Sequence, residues 1–321
     1  MIPVDKFHPL YIPSILLSIL ILLCVVLRCI PFLSRNFIKY GKLLDGPNRE
    51  AAWWLRPLMV PKRWFNHFYL YAFLLAVYVD IELLWALRRD LSGPMLQELR
   101  KWDAIAFAYK QPANECILAI LIVLAQVTRR LYETYFVQQH SNALMNIAHY
   151  AVGFTFYTGV VFGAWVEGAA NLGIWSKDFS QVNILGDGWL ISRPRHVVAL
   201  LLYGYAAYHQ YRCHRILASL RQKKPSPQGA STQQERYVIP RGDWFEFITV
   251  PHYFAEILVY FSLVVLTGGK ILSLWLCLLF TVSDLSLVGY ETAQWYQERF
   301  GAEKMKRTFP KGRWVIIPGL F

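Results

Sequence analysis

Seven apolar runs of 15 to 24 residues leave this chain few folds to choose from; they occupy residues 10–33, 64–87, 115–137, 147–165, 197–217, 252–266 and 271–290. In hydrocarbon every backbone N–H and C=O must be paired within the protein, so only helices and closed barrels cross it. Runs of this length suit helices rising 1.5 Å per residue through roughly 30 Å of hydrocarbon, whereas barrel strands need about 10 residues of alternating polarity. The expectation is an all-α polytopic membrane protein of seven transmembrane helices, forming a single domain over residues 1–321. The first run has only Arg28 charged. A cleaved signal peptide would have a shorter apolar core, about 7 to 15 residues, and a small-residue cleavage site, so the run is expected to stay as the first span.

Composition agrees, with 55% hydrophobic residues against the roughly 45–50% usual in soluble domains. The net charge of +12 does not point to nucleic acid, because Lys and Arg lie in the connections between apolar runs. With the N-terminus lumenal, 21 of them fall on the cytosolic side and 10 on the other. Excess positive charge marks the cytosolic side, so the N-terminus is expected in the lumen and the C-terminus in the cytosol. The cysteines, Cys24, Cys29, Cys116, Cys213 and Cys277, form no CxxC pair, and neither a disulfide framework nor a zinc site is readable.

Ionisable groups at the mouths of the runs are where chemistry is sought, since each must be solvated, paired or neutralised near lipid. The stretch 239–256, IPRGDWFEFITVPHYFAE, places Asp243, Glu246, His252 and Glu256 ahead of an apolar run. Pro240 and Gly242 supply a turn, and His252 and Glu256, four apart, share a helical face. The bland alternative is an interfacial belt, with Trp244, Phe245 and Phe247 at the headgroups. The second run opens WFNHFYLY; its His67 is either an interfacial histidine bonded to a carbonyl or a substrate contact, and Asp80 and Glu82 mark the far boundary. The third ends QVTRRLYE, where Arg129 and Glu133 read as an i,i+4 ion pair, although paired arginines also suit phosphate. The fourth carries Gly153, Gly159 and Gly163 for close helix approach. The fifth closes YHQYRCHRILASLR, gathering His209, Gln210, Arg212, His214 and Arg221. Its histidines are five apart with no HExxH pattern, so no metal is expected.

VPKRWFNHFY, RRLYE, HQYRCHRILASLR, IPRGDWFEF and the terminal FPKGRWVIIPGLF stand in one order and spacing. On them the chain resembles the steroid 5α-reductase family over about residues 40–321. The resemblance implies a seven-span protein of the endoplasmic reticulum membrane that takes NADPH from the cytosol. Within the family it implies the branch acting on long polyprenoid lipids, saturating the α-isoprene double bond of an enal on the route to the dolichol carrier of protein N-glycosylation. Conjugate reduction of that kind needs a donor to the developing enolate oxygen. The resemblance places His67 first in that role, with Tyr69 and Gln126 as alternatives. It puts Gln210, His214, Arg221, Tyr237, His252, Glu256 and Tyr296 against the cofactor, and Arg130, of the arginine pair suited to phosphate, is expected beside them. Departures from the family pattern are Gln126 for a His, His252 for an Asn, Ala293 for a His, and an extended segment, GAEKMKR, before Pro310. The alternatives are a steroid enone or enoyl-thioester reductase, a membrane isoprenoid methyltransferase that would bind S-adenosylmethionine, and a transporter, which would be expected to show internal repeats.

Overall fold

Helices form on all seven expected runs in the computed structural model, which describes residues 9–30, 57–89, 93–101, 111–138, 144–172, 190–222 and 237–320. In chain order they are α1 (Ile12–Cys29), α2 (Phe65–Arg89), the short α3 (Pro94–Arg100), α4 (Ala113–Tyr132), α5 (Ile147–Gly163), α6 (Pro194–Gln222), α7 (Pro251–Leu266), α8 (Leu272–Phe300) and the short α9 (Ala302–Thr308). Most of the basic connection 34–63 and the loops 102–110, 173–189 and 223–236 lie outside the described residues.

Four stretches among the described residues are long and apolar enough to cross a membrane: Ile12–Cys29, Lys62–Trp85, Ile147–Ala169 and Leu272–Phe300. Helices α4 and α6 are diluted by the polar residues at their C-terminal ends, and α7 has only 16 residues. The last apolar run was expected to stop at Tyr290. Instead α8 continues through QWYQERF to Phe300 and ends where Gly301 takes φ 79°, a left-handed conformation open to glycine. Tyr296 therefore projects from a helix, not from a loose tail. The all-α expectation also needs a small correction. Met59–Pro61 (β1) pairs antiparallel with Leu144–Asn146 (β2), and Ile248 bridges Trp314 in parallel. Val60 precedes Pro61, whose ring disfavours the helical region for its neighbour and so favours the extended ladder.

Side chains from α1, α2, α4, α5, α7 and α8, including Leu17, Ala72, Ala119, Val160, Leu263 and Leu274, share one buried cluster. The glycines of α5 are what let its neighbours approach. A Cβ on Gly153 would lie 2.5 Å from the Phe68 ring, on Gly159 2.9 Å from Leu17, and on Gly163 3.0 Å from Ser273. Buried carboxylates then close the helix ends. Glu82 accepts from the N–H groups of Met95 and Leu96 at 3.1 and 3.0 Å, satisfying orphan donors in the first turn of α3. Glu167 does the same for α8, accepting from the N–H and hydroxyl of Ser273 at 3.0 and 2.9 Å. Glu115 gathers Arg195 and His196 from the start of α6. The one charge of the first apolar run, Arg28, reaches Asp284 and Glu291 of α8 at 3.4 and 3.5 Å.

The IPRGDWFEF stretch is a tight turn between α6 and α7. Gly242 (φ 90°) and Asp243 (φ 49°) both take positive φ, which aspartate tolerates better than most side chains. The Asp243 carboxylate accepts from His209 of α6 at 2.7 Å and from the Trp244 N–H at 2.8 Å, while His209 stacks on Trp244 at 4.3 Å. Glu246 accepts from Arg241 at 3.0 Å and from the Gly242 N–H at 2.7 Å, and these bonds hold its carboxyl below the usual carboxylate range. The terminal FPKGRWVIIPGLF lies against this turn. Thr249 and Val250 donate to the carbonyls of Trp314 and Val315, Trp314 donates to Phe247, and Arg313 donates to the Phe245 carbonyl at 3.2 Å.

Candidate active site

Three helices bring polar side chains together at one level. From α4 come Gln126, Arg129 and Arg130, with Glu133 on the π turn Glu133–Val137 that follows; from α6 come Gln210 and His214; from α7 comes Glu256. Gln126, Arg130, Glu133, Gln210 and His214 are buried. Glu133 is the hub. It pairs with Arg129 through one oxygen, and through the other with Arg130 at 2.5 Å and His214 at 2.6 Å. An ionised carboxylate only accepts, so His214 presents its Nδ1–H to Glu133, and the 2.9 Å approach of Arg130 to that nitrogen closes a triangle about the carboxylate.

Arg130 links this hub to α2. Its Nη2 donates to the Tyr69 hydroxyl at 2.7 Å, and its guanidinium lies 4.9 Å from the centre of that ring. Arg129 links the hub to the amides, donating to Gln126 at 2.8 Å and closely to Gln210. Gln210 in turn donates to Glu256, and to the backbone carbonyl of His252 at 3.2 Å. The amide of Gln126 lies 3.4 Å from both Gln210 and Glu256. Two cations and two carboxylates thus balance in a largely dry site, where unpaired charge is costly.

Of the residues marked in the sequence, the structure joins Tyr69, Gln126, Arg130, Gln210, His214 and Glu256 into this network. His252 adjoins it through its carbonyl and through its ring, 5.6 Å from that of His214. His67 sits elsewhere, exposed, its Nδ1 3.0 Å from the Tyr150 hydroxyl in an aromatic group with Trp64. On a helix, residues 67 and 69 point to different sides, so only one of them can face α4. Tyr237 and Tyr296 belong to a second group beside the C-terminal segment. Tyr237 meets Trp295 edge-on at 4.9 Å, Tyr296 stacks on Phe300 at 5.9 Å, and the Arg313 guanidinium lies 5.8 Å from the Tyr296 ring. Burial pulls Arg313 down to about 10, which leaves it cationic at neutral pH. Arg221 is exposed at the end of α6.

A model of the 3-oxo-5-alpha-steroid 4-dehydrogenase family matches residues 140–321. That is more than half of the chain and includes α5 to α9. The chain belongs to this family. Its members are oxidoreductases acting on a carbon–carbon bond, and the apolar helices fit a membrane enzyme of that kind. Among curated proteins, the chain is 30% identical over 308 residues to the polyprenal reductase of Mus musculus, covering 90% of this chain and 87% of that one. It is 29% identical over 332 residues to polyprenal reductase of Homo sapiens, covering 99% and 97%. It is 32% identical over 294 residues to that of Xenopus laevis, covering 89% and 85%. The human match extends the likeness beyond residue 40 into the first span.

Reading the sequence overlooked two features of this region. Arg129 and Glu133 read as an i,i+4 pair, with phosphate as the arginines' other use, and the burial of Glu133 is what makes it central. Arg313 had no signal beyond lying in a terminal motif.

Proposed function

We propose that this protein is an NADPH-dependent reductase that saturates the α-isoprene double bond of a polyprenal, yielding a dolichol-type lipid for protein N-glycosylation. In this reading it spans the endoplasmic reticulum membrane seven times as one domain, N-terminus lumenal and C-terminus cytosolic. The observation that carries it is the network of buried Arg130, Glu133 and His214 with half-buried Tyr69, with donors and charge fixed in advance beside the apolar helix core. Such preorganised donors in a dry site are what stabilise a developing enolate. The polyprenal reductases matched along most of the chain support the choice of substrate.

The residues fit a dinucleotide. Buried Nε–H groups of Arg129 and Arg130 have no partner, leaving donors for an acceptor-rich guest. Gln210, His214, Glu256 and His252 would hold the carboxamide end, whose donor and acceptor pair amides and carboxylates. Arg130 would face the same end, and Arg221 with the aromatic faces of Tyr237 and Tyr296 would hold the phosphate and adenine end. Bound NADPH supplies hydride to the β-carbon of the enal. The chain's own part is to hold the carbonyl. Of the candidate donors His67, Tyr69 and Gln126, Tyr69 is best supported: its oxygen accepts from Arg130 and its own proton remains for donation. Gln126 already spends its amide on Gln210 and Glu256.

The test is single-turnover reduction of polyprenal, polyprenol and a steroid enone by purified protein with NADPH, alongside NADPH binding. Wild type is expected to reduce polyprenal. Tyr69→Phe should lose about 10²-fold in rate with NADPH affinity kept. His67→Phe should turn over normally. Failure of wild type to reduce polyprenal, or binding of S-adenosylmethionine in place of NADPH, would overturn the reading.

A further inference from the structure

A small residue on α5 brings Phe68 and Tyr69 of α2 against it. A Cβ on Gly153 would lie 2.5 Å from the Phe68 ring, so a side chain there would force α2 away. One turn on, on the same face of α5, stands Tyr157. Its ring stacks on Phe68 at 5.9 Å and meets Tyr69 edge-on at 5.6 Å and Phe156 at 5.5 Å. For those contacts phenylalanine would serve as well. Yet Tyr157 carries a hydroxyl into a position only 5% exposed, where a polar group without a partner is costly.

Tyr69 is that partner. The Tyr157 hydroxyl hydrogen-bonds to that of Tyr69, with Arg130 and Glu256 also close enough to act on it. Tyr69 is gripped by Arg130 in two ways: the guanidinium lies 4.9 Å from the centre of its ring, and Nη2 donates to its oxygen at 2.7 Å. A phenol has one proton to give and two lone pairs with which to receive. The cation is bonded to Tyr69, so negative charge settles more readily on the Tyr69 oxygen, and of the two phenols Tyr157 is the one that donates. With Arg130 on one lone pair and Tyr157 on the other, the Tyr69 O–H is left pointing at neither.

We propose that Tyr157 is a positioning residue for the reduction: its O–H donates to the Tyr69 oxygen and leaves the Tyr69 proton aimed at the carbonyl oxygen of the enal. The inference rests on the function proposed above, with Tyr69 as the donor. As hydride adds to the β-carbon, the alkene electron pair shifts to form the enolate double bond and the carbonyl π pair moves onto oxygen. The Tyr69 O–H bonds more strongly to that oxygen, its own oxygen gains electron density, and the donations from Arg130 and Tyr157 tighten in step. Tyr157 acts only through Tyr69 and keeps its proton. Water supplies the proton that the α-carbon takes as the carbonyl re-forms.

Tyr157→Phe removes the hydroxyl and keeps the ring contacts with Phe68, Tyr69 and Phe156. Single-turnover polyprenal reduction at saturating NADPH is expected to fall about 10-fold, with NADPH affinity unchanged and the thermal midpoint moved by no more than about 2 °C. The deciding readout is coupling. Tyr69→Phe combined with Tyr157→Phe should be no slower than Tyr69→Phe alone, because the donation has nothing left to act on. A residue that only packs would slow both backgrounds by the same factor. A second readout needs no turnover: in protein carrying Tyr69→3-fluorotyrosine, the fluorine resonance should shift when Tyr157→Phe is added, since the neighbouring ring stays and only the hydrogen bond goes. Normal turnover in Tyr157→Phe, losses that multiply in the double variant, or an unmoved fluorine resonance would each overturn the assignment. If wild type itself reduces no polyprenal, the proposed function fails, while the fluorine resonance still decides whether Tyr157 bonds Tyr69.

Discussion

Glu133→Gln is the sharpest test of the network. The side chain has no exposed surface and meets three cationic or N–H partners, Arg129, Arg130 and His214. Glutamine keeps the volume but loses the charge, and turns an NH₂ group toward at least one guanidinium. Each hydrogen bond to a charged group contributes about 1.5–3 kcal/mol, but the three cannot be summed because the partners relax together. Removing one member of a buried ionic cluster costs about 3–5 kcal/mol, most of it the penalty of stranded charge. At roughly 2 °C per kcal/mol for a chain of this size, the thermal midpoint should fall by about 6–10 °C. Thermal unfolding of detergent-solubilised protein measures this, with Glu98→Gln as the control. Glu98 pairs with Lys101 in the open, both about two-thirds exposed, and such pairs contribute about 0–1 kcal/mol. Equal midpoints for the two variants would refute the claim that burial makes Glu133 central. Since Arg130 is held by Glu133 and in turn touches Tyr69, the variant should also slow single-turnover reduction.

Gly153→Val should lower both stability and turnover, by about 1–3 kcal/mol in stability, because its Cβ would meet the Phe68 ring at 2.5 Å and Phe68 packs on Tyr69 and Tyr157; Gly204→Ala, with nothing within 4 Å, should be neutral or stabilising in the same unfolding assay. An N-glycosylation acceptor fused to the N-terminus should be modified in microsomes and one fused to the C-terminus should not, and the reverse pattern would overturn the proposed orientation.

The helices were legible because apolar length is a one-dimensional property, and all seven runs became helices with ends within a few residues of expectation, α8 excepted. It overran because QWYQERF offers good helix formers with amphipathic spacing and no breaker before Gly301. The β1–β2 pairing was not legible, being a three-residue ladder between segments more than 80 positions apart. The site was legible by residue type but not by grouping. His67 and Tyr69 differ by two positions and read alike in sequence, yet the helix sends one to Tyr150 and the other to Arg130. Glu82, read as marking the far boundary of its run, is occupied by the N-terminus of α3, and Glu115 and Glu167 are likewise taken up by arginine and by the start of α8.

The departures from the family pattern that fall in the network can be judged by their wiring. A histidine at position 126 could accept through one ring nitrogen and donate through the other. Gln126 does both with its amide, accepting from Arg129 and facing Gln210 and Glu256 with its nitrogen. It therefore keeps the connection while removing a group that titrates near neutral pH. The histidine at position 252 is tolerated for a different reason. Gln210 bonds the backbone carbonyl of that residue, a contact any side chain would permit, and the carboxylate that completes the pattern is Glu256, one turn on. Substitution is thus accepted at the two positions where an amide can stand in for a ring or where the main chain makes the bond. Glu133 has no such substitute, since no neutral side chain can accept from two arginines and a histidine at once.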